Sequence, residues 1–383
     1  MKEMVCFALA AGVGRDAVEN TPAAVWVFLA LAALSGLVVL ARALGGLRGT
    51  LRAEAAFAVP QDLSSAQAGF LMDGEADVRD LLSLILVFAR RGLVTVSSDE
   101  WDGSDPEQTP LVLTRRRDLP ADAPVWERTL FEALFPDGAA LCHLTRPDDG
   151  FAARLEQAKE QLAESFSGER RLYQPQTLVH SLLVPFAGCL ALFLGLSRAG
   201  VGWALAACVP LVMLAFLMHT AFRRWHFLRT GAQVLWAGAG AVLGILAGVG
   251  GAVCALGCST PLWLTVPSFL LVLAGCLLAP LLARPTDYHR VACTRLLGLF
   301  RSLENPPRDQ LTDLLEENPD CFYTALPYAY VFGLADVWAE AFAGLCRHAP
   351  VWYTGGYQDF STQAFVASFR FSVETALAKN DEQ

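Results

Sequence analysis

Charge is what this chain most conspicuously lacks. Residues 230–283 are 54 consecutive positions without Asp, Glu, Lys or Arg, broken only by the Gly257–Pro261 stretch. A bilayer core needs roughly 20 apolar residues per helix, so the run is long enough for two crossings and a tight turn. Thr21 to Ala41 is also uncharged, Leu172 to Ser197 carries only His180, and Ala199 to Phe222 carries only His219 near its end. A charge at the centre of such a span would oppose insertion by about 2.5–3.5 kcal/mol. With 54% hydrophobic residues, the composition excludes a freely soluble chain. The expectation is a multi-pass α-helical membrane protein with five transmembrane helices.

Other absences exclude chemistry. The sequence has no HExxH, no GxSxG, no paired CxxC and no glycine-rich phosphate loop. Cys142 beside His143, and Cys346 near His348, are the nearest approach to a ligand cluster, and neither has two further ligands close in sequence. The chain therefore reads as a non-enzyme with no catalytic, cofactor-binding or metal residues. The ten cysteines have no framework spacing. Cys254 and Cys258, the one pair near the outer face, read as ordinary helix packing because bridging them would require distorted geometry. Ionisable or amide groups are missing from the centres of the spans, where an ion-coupled transporter would need them. His180 and His219 read as interfacial residues.

Charge collects instead in two blocks, roughly 45–171 and 284–383, which read as two cytoplasmic domains. Arg42, Arg48 and Arg52 follow the first span, Arg223, Arg224 and Arg229 lie between the third and fourth, and Arg284, Arg290 and Arg295 follow the fifth. The positive-inside bias puts all of these in the cytoplasm and the N-terminus outside, as for a protein of an inner, cytoplasmic membrane. The expected organisation is a short external tail, signal-like segment or shortened start at 1–20, a first span at 21–44 and a cytoplasmic domain at 45–171. A hairpin of spans at 172–222 follows, then a basic loop at 223–230, a second hairpin at 231–283 and a helical domain at 284–383. Arg223, Arg224, Trp225 and Arg229 form an anchor at the membrane interface, with membrane lipids as partners.

Within the first block, Val78, Leu81, Leu82, Ile85 and Ala89 share one helical face, and Gly92 supplies a stop. Leu93 to Val96 and Leu111 to Thr114 read as a hairpin, followed by helices at 124–135 and 149–166. The stripe of the second helix is Phe151, Leu155, Ala158, Leu162 and Phe166. This order suggests a winged-helix-like α+β domain. From Ala53 to Pro175, however, 12 basic residues stand against 22 acidic ones, whereas a duplex binder needs a basic face, so nucleic acid is excluded as a partner. The Arg115, Arg116, Arg117 triplet reads as a solvated strand end or a contact to lipid headgroups.

The stretch Ala68-Gly-Phe-Leu-Met-Asp-Gly74, with Asp77-Val-Arg-Asp80 and Phe88-Ala-Arg-Arg-Gly-Leu93, resembles the cytoplasmic part of a bacterial family of predicted membrane proteins, domain of unknown function 2207. Arg284-Pro-Thr286 leading to Leu297-Gly-Leu-Phe-Arg301 is similar to the same family, as are Leu326-Pro-Tyr-Ala-Tyr-Val-Phe-Gly-Leu334, Trp338-Ala-Glu-Ala-Phe342 and Pro350-Val-Trp-Tyr353. The resemblance implies a membrane-anchored cytoplasmic assembly and brings no activity with it. It also implies an extracytoplasmic β-sandwich ahead of the first span, for which the 20 residues here leave no room.

Tyr328, Trp338, Trp352 and Tyr353 belong to a set of large residues at helical spacing, with Gly333 ending one helix before Ala335 starts the next. They read as a helix-corner core, or else as an interaction surface built on their exposed edges. Thr354 to Tyr357 is a loop, and the last helix runs from Phe360 to Ala378. Gly240, Gly244 and Gly248 repeat at four-residue steps on the fourth span, forming a groove for close helix packing, either with the fifth span or with a second copy of the chain. The functional expectation is a scaffold or regulatory subunit acting through a protein partner or as a homo-oligomer. An oligomeric channel or transporter is the alternative.

Overall fold

The computed structural model describes residues 23–46, 55–98, 109–148, 150–197, 201–224, 230–257, 262–306, 308–346, 349–355 and 360–381. These form two compact units. One draws on residues 1–50 and 173–286, the other on residues 51–172 and 287–383. The two charged blocks that sequence position separates thus belong to one body.

The first unit is a helical bundle of α1 (Ala23–Gly46), α7 (Pro175–Leu196), α8 (Val201–Arg224), α9 (Thr230–Gly257) and α10 (Leu262–Leu278), the last continued by a 3-10 turn at Ala279–Leu282. Among the described residues four segments are long and apolar enough to cross a membrane: Pro175–Leu196, Ala204–Ala221, Ala232–Gly251 and Thr265–Leu282. The apolar part of α1, Val25–Ala41, is shorter. The core is built from small and aliphatic residues, among them Leu29, Ala32, Leu192, Ala204, Ala207, Leu211 and Val272. Large apolar side chains such as Phe216, Leu235 and Ile245 point outward, as expected where the solvent is hydrocarbon. Pro185, Pro210 and Pro267 sit inside α7, α8 and α10, each costing one ladder hydrogen bond.

Helix α1 is held tightly against α10. A methyl group on Gly36 would overlap the Leu271 carbonyl, and one on Gly275 would lie 3.3 Å from Gly36 Cα, so the two backbones touch. The Ser268 hydroxyl donates to the Leu29 carbonyl at 3.0 Å across the same contact. At the other end of the bundle, Gln174 N–H donates to Arg284 O at 3.0 Å, tying the start of α7 to the chain that leaves α10.

The second unit begins with α2 (Ser65–Asp73), whose start is fixed by reciprocal bonds. Gln67 N–H donates to Ser64 Oγ at 3.2 Å, and Ser64 N–H donates to Gln67 Oε1 at 3.0 Å. Gly74 ends this helix at φ 74°. The single helix expected from Val78 to Ala89 is two, α3 (Val78–Leu82) and α4 (Leu84–Arg90). Ser83 interrupts it, with its hydroxyl bonded to the Asp80 carbonyl at 2.6 Å and facing Ser65 Oγ at 2.6 Å. Gly92 takes the left-handed conformation expected of a helix stop, and all six residues from Leu84 to Ala89 are buried.

The expected hairpin is present as β1 (Val94–Ser97) and β2 (Val112–Arg115), antiparallel with Val94 opposite Arg115. It is not a free wing. A third strand, β3 (Leu141–His143), pairs antiparallel with β2, and β4 (Tyr353–Thr354) pairs parallel with β1, giving the order β3-β2-β1-β4. Tyr353, expected among residues at helical spacing, therefore sits in a strand. Helices α5 (Val125–Leu134) and α6 (Phe151–Ser165) pack together, and Phe151, Leu155, Ala158 and Leu162 are the buried stripe of α6, as their spacing requires.

Past the bundle come α11 (Asp287–Glu304), α12 (Arg308–Glu317), α13 (Cys321–Val331), α14 (Ala335–Ala341) and α15 (Thr362–Asp381). Gly333 turns the chain between α13 and α14 at φ 69°, with Leu334 N–H donating to Ala329 O at 2.7 Å. Trp338 is fully buried between Phe57, Phe322 and Phe342, and Tyr330 packs edge-on to Phe369.

Candidate functional site

The second unit carries a cleft of about 1000 Å³. One wall is the extended chain from Phe57 to Ser64, led into place by the capping box of α2. The opposite walls are the end of α4 with Arg90 and Arg91, the start of α5 with Trp126 and Glu127, and α13 with Cys321, Thr324 and Tyr328.

Glu127 is the chemically distinctive group here. Its side chain is only 5% exposed and accepts a hydrogen bond from Arg91 Nη1 at 3.3 Å, while Arg91 is half exposed. Burial raises the Glu127 carboxyl above its ordinary range, and the Arg91 charge opposes that rise. Beside this pair, Arg90 Nη1 donates to Thr324 Oγ1 at 2.8 Å. Asp62, on the first wall, is bridged to Arg295 at 3.2 Å. The cleft is therefore polar and of mixed charge, with an ion pair in its wall whose carboxylate is buried and whose guanidinium is half exposed. Among the described residues no group of three or more His, Cys, Asp and Glu is placed to hold a metal ion.

The four aromatic residues picked out by sequence do not form one surface. Tyr328 alone lines the cleft. It is buried, its hydroxyl lies 2.5 Å from Leu63 O and 3.2 Å from Pro60 O, and burial pushes its pKa up to about 12. Its role is to clamp the extended wall to α13. Trp338 is core, with its indole N–H donating to Phe322 O at 3.2 Å. Tyr353 is buried and its hydroxyl donates to Ser98 Oγ at 3.2 Å, while the half-buried Trp352 meets Tyr323 edge-on. Spacing alone could not separate Tyr328 from the others.

The glycine row of the fourth span is only partly engaged. A Cβ on Gly240 would meet Met218 Cε at 2.9 Å, whereas Gly244 and Gly248 have no such neighbour within 4 Å. The closest approach comes at Gly250, where a Cβ would lie 2.7 Å from the Ala206 carbonyl of α8; at Gly251 it would meet the Phe269 ring of α10. The main partner of α9 is thus the preceding helix, α8, rather than the fifth span. Arg223 and Arg224 close α8, but their side chains, together with Trp225 and Arg229, lie outside the described residues, as do Cys258 and His348.

The Arg triplet is dispersed. Arg115 pairs with Asp118 at 2.5 Å and stacks over Phe131, while Arg116 Nε donates to Thr95 Oγ1 at 3.2 Å. Cys142 lies on β3 and burial pushes its thiol up to about 12; Cys346 is likewise raised to about 11, so neither is poised as a nucleophile. His180 Nδ1 donates to the Gln176 carbonyl one helical turn back. Two pairs escaped the sequence reading, Arg91 with Glu127 and Cys189 with Cys276. Their partners are 36 and 87 residues apart, and no local pattern marks them.

Residues 228–342 match the family model described as predicted membrane protein (DUF2207), C-terminal domain. The match, under a third of the chain, bears out the family resemblance and takes in the motifs from Arg284 to Phe342; those at 68–93 and 350–353 fall outside it. No curated protein and no solved structure matches the chain.

Proposed function

We propose that this chain is a five-span protein of the bacterial inner membrane, with its N-terminus outside and its soluble unit in the cytoplasm. There it acts as a scaffold or regulatory subunit whose cleft receives a segment of a partner protein. Three features support this topology. The apolar face of α1 is packed into the bundle through Leu29, Ala32 and Val39. The ends of α1 and α10 and the start of α7 all lead into the same soluble unit, which five crossings satisfy. The basic residues flanking those ends agree with the positive-inside bias.

The single observation that carries the partner reading is the 1000 Å³ cleft with its half-buried Arg91–Glu127 pair, of mixed charge and without metal-binding groups among the described residues. A nucleic-acid role is disfavoured. Helix α4, which stands where a winged-helix domain would carry its recognition helix, has its residues from Leu84 to Ala89 buried and unavailable to a groove. A conducting pore finds no support in the bundle core, whose side chains are overwhelmingly apolar.

The test is a photo-crosslinking amino acid placed at Asp122 in the cleft and, as a control, at Glu156 on the exposed side of α6. In living cells the Asp122 variant should capture one recurrent protein that the Glu156 variant does not. Identical products at both positions, or none at Asp122, would reject the partner reading.

A further inference from the structure

Within the membrane bundle two thiols face each other. Cys189 of α7 and Cys276 of α10 lie with their sulfurs 3.7 Å apart, and both are buried in the same apolar cluster as Leu192 and Val272. The pair is about 21 Å along α7 from Pro175 at 1.5 Å per residue, well inside a hydrocarbon layer about 30 Å thick. The geometry points to a redox-active dithiol here, a site where Cys189 and Cys276 close to a disulfide across α7 and α10 by passing electrons to a lipid-soluble quinone.

A disulfide needs its sulfurs at about 2.05 Å, and side-chain rotation about Cα–Cβ covers a gap of this size. Two S–H bonds break and one S–S bond forms. Two electrons and two protons go to the quinone, which leaves as the quinol. The class of oxidant follows from the surroundings. Cys276 is fully buried and Cys189 nearly so under protein side chains, so any oxidant reaches them only as α7 and α10 part; their helix neighbours Leu190 and Leu277 are exposed on a flank where the medium is hydrocarbon, which dissolves a neutral apolar quinone and excludes charged, water-borne oxidants. Closure would tie together the two helices that hold α1 between them through Gly36, Leu271, Ser268 and Gly188. Cys208 of α8 belongs to the same cluster and is the competing partner that a test must separate.

The full-length chain, with a protease site inserted between α8 and α9, is treated in native membrane vesicles with a short-chain ubiquinone analogue, blocked with N-ethylmaleimide in SDS, cleaved and run without reductant. The two fragments should migrate as one species that dithiothreitol separates, and peptide mapping of that species should return a Cys189–Cys276 linked pair. Cys189→Ala and Cys276→Ala should each yield separate fragments. The inference fails if the parent fragments separate after quinone treatment, even where iodine links them. It fails equally if mapping returns a Cys208 pairing or if the link survives in either variant.

Discussion

Gly69 is the seat of the Asp80 carboxylate: a methyl group built on this α2 glycine would overlap the side chain that α3 brings over it. Asp80 is buried, so the carboxylate cannot swing out into water to make room. Two residues quoted separately in the family-like motif are thus one packing unit. Gly69→Ala should overpack the site and cost about 1–3 kcal/mol. Thermal unfolding of the purified protein in detergent would show this as a lowered melting temperature; an unchanged one would remove Asp80 as the reason for the glycine.

Trp338 and Tyr328 should part company on mutation. Trp338→Ala empties the centre of the aromatic core and should cost about 3–5 kcal/mol, reducing the amount of folded protein recovered. Tyr328→Phe keeps the ring and removes only the hydroxyl bond to the extended wall, a loss of about 1–3 kcal/mol with the fold retained. Proteolysis of the two variants should cut the Trp338→Ala protein throughout the second unit, and the Tyr328→Phe protein first near Pro60.

Glu127 sets a pH dependence of defined sign. Its carboxyl is raised in the folded state, chiefly by burial and against the pull of Arg91, so the folded protein holds this proton more tightly than the unfolded chain does. Its contribution is therefore fully present below the ordinary carboxyl pKa and is lost as pH rises through the raised folded value. Glu127→Gln, which cannot ionise, should flatten that part of the stability profile and compare most favourably with the parent at neutral pH. Denaturant midpoints measured from mildly acidic to neutral pH would check this, and a wild-type profile that rises there relative to the variant contradicts it.

Gly250 and Gly244 provide a contrast on one helix. Gly250→Leu drives a side chain into the α8 backbone at Ala206 and should lower the thermal stability of the bundle by several degrees. Gly244→Leu meets open space within the chain and should leave the isolated protein's stability unchanged. Size-exclusion chromatography after heating would rank the two. A loss of assembled mass confined to Gly244→Leu would identify that face as a contact between copies.

How much of this could be read from sequence depended on how local the governing physics is. The charge-free runs mark the four long spans because hydrocarbon selects residue by residue. The stripe from Phe151 to Leu162, the hairpin from Val94 to Arg115 and the turns at Gly92 and Gly333 follow from periodicity and backbone freedom over a few residues. The break at Ser83 was hidden, since the apolar stripe continues on both sides of it and the helix stops only through its bonds to Asp80 and Ser65. The cleft was hidden for a different reason. Arg91 meets Glu127, and Tyr328 meets Leu63, only after the chain has folded back across long separations. Strand β4 is two residues long and has no pattern of its own; its parallel partner supplies the definition.

That strand gives the second unit a schedule. Val96 N–H donates to Trp352 O at 2.9 Å, Ser98 N–H to Thr354 O at 3.1 Å, and Leu111 N–H to Ser372 Oγ at 2.9 Å. All three acceptors leave the ribosome after the last apolar helix of the bundle. While spans α7 to α10 are being threaded into the bilayer, the block from residue 55 to 172 waits with one sheet margin unzipped and its aromatic centre unfilled. Insertion failure of any later span would leave that sheet half made, a natural target for chaperones and proteases, so completion of the second unit depends on completion of the helical bundle.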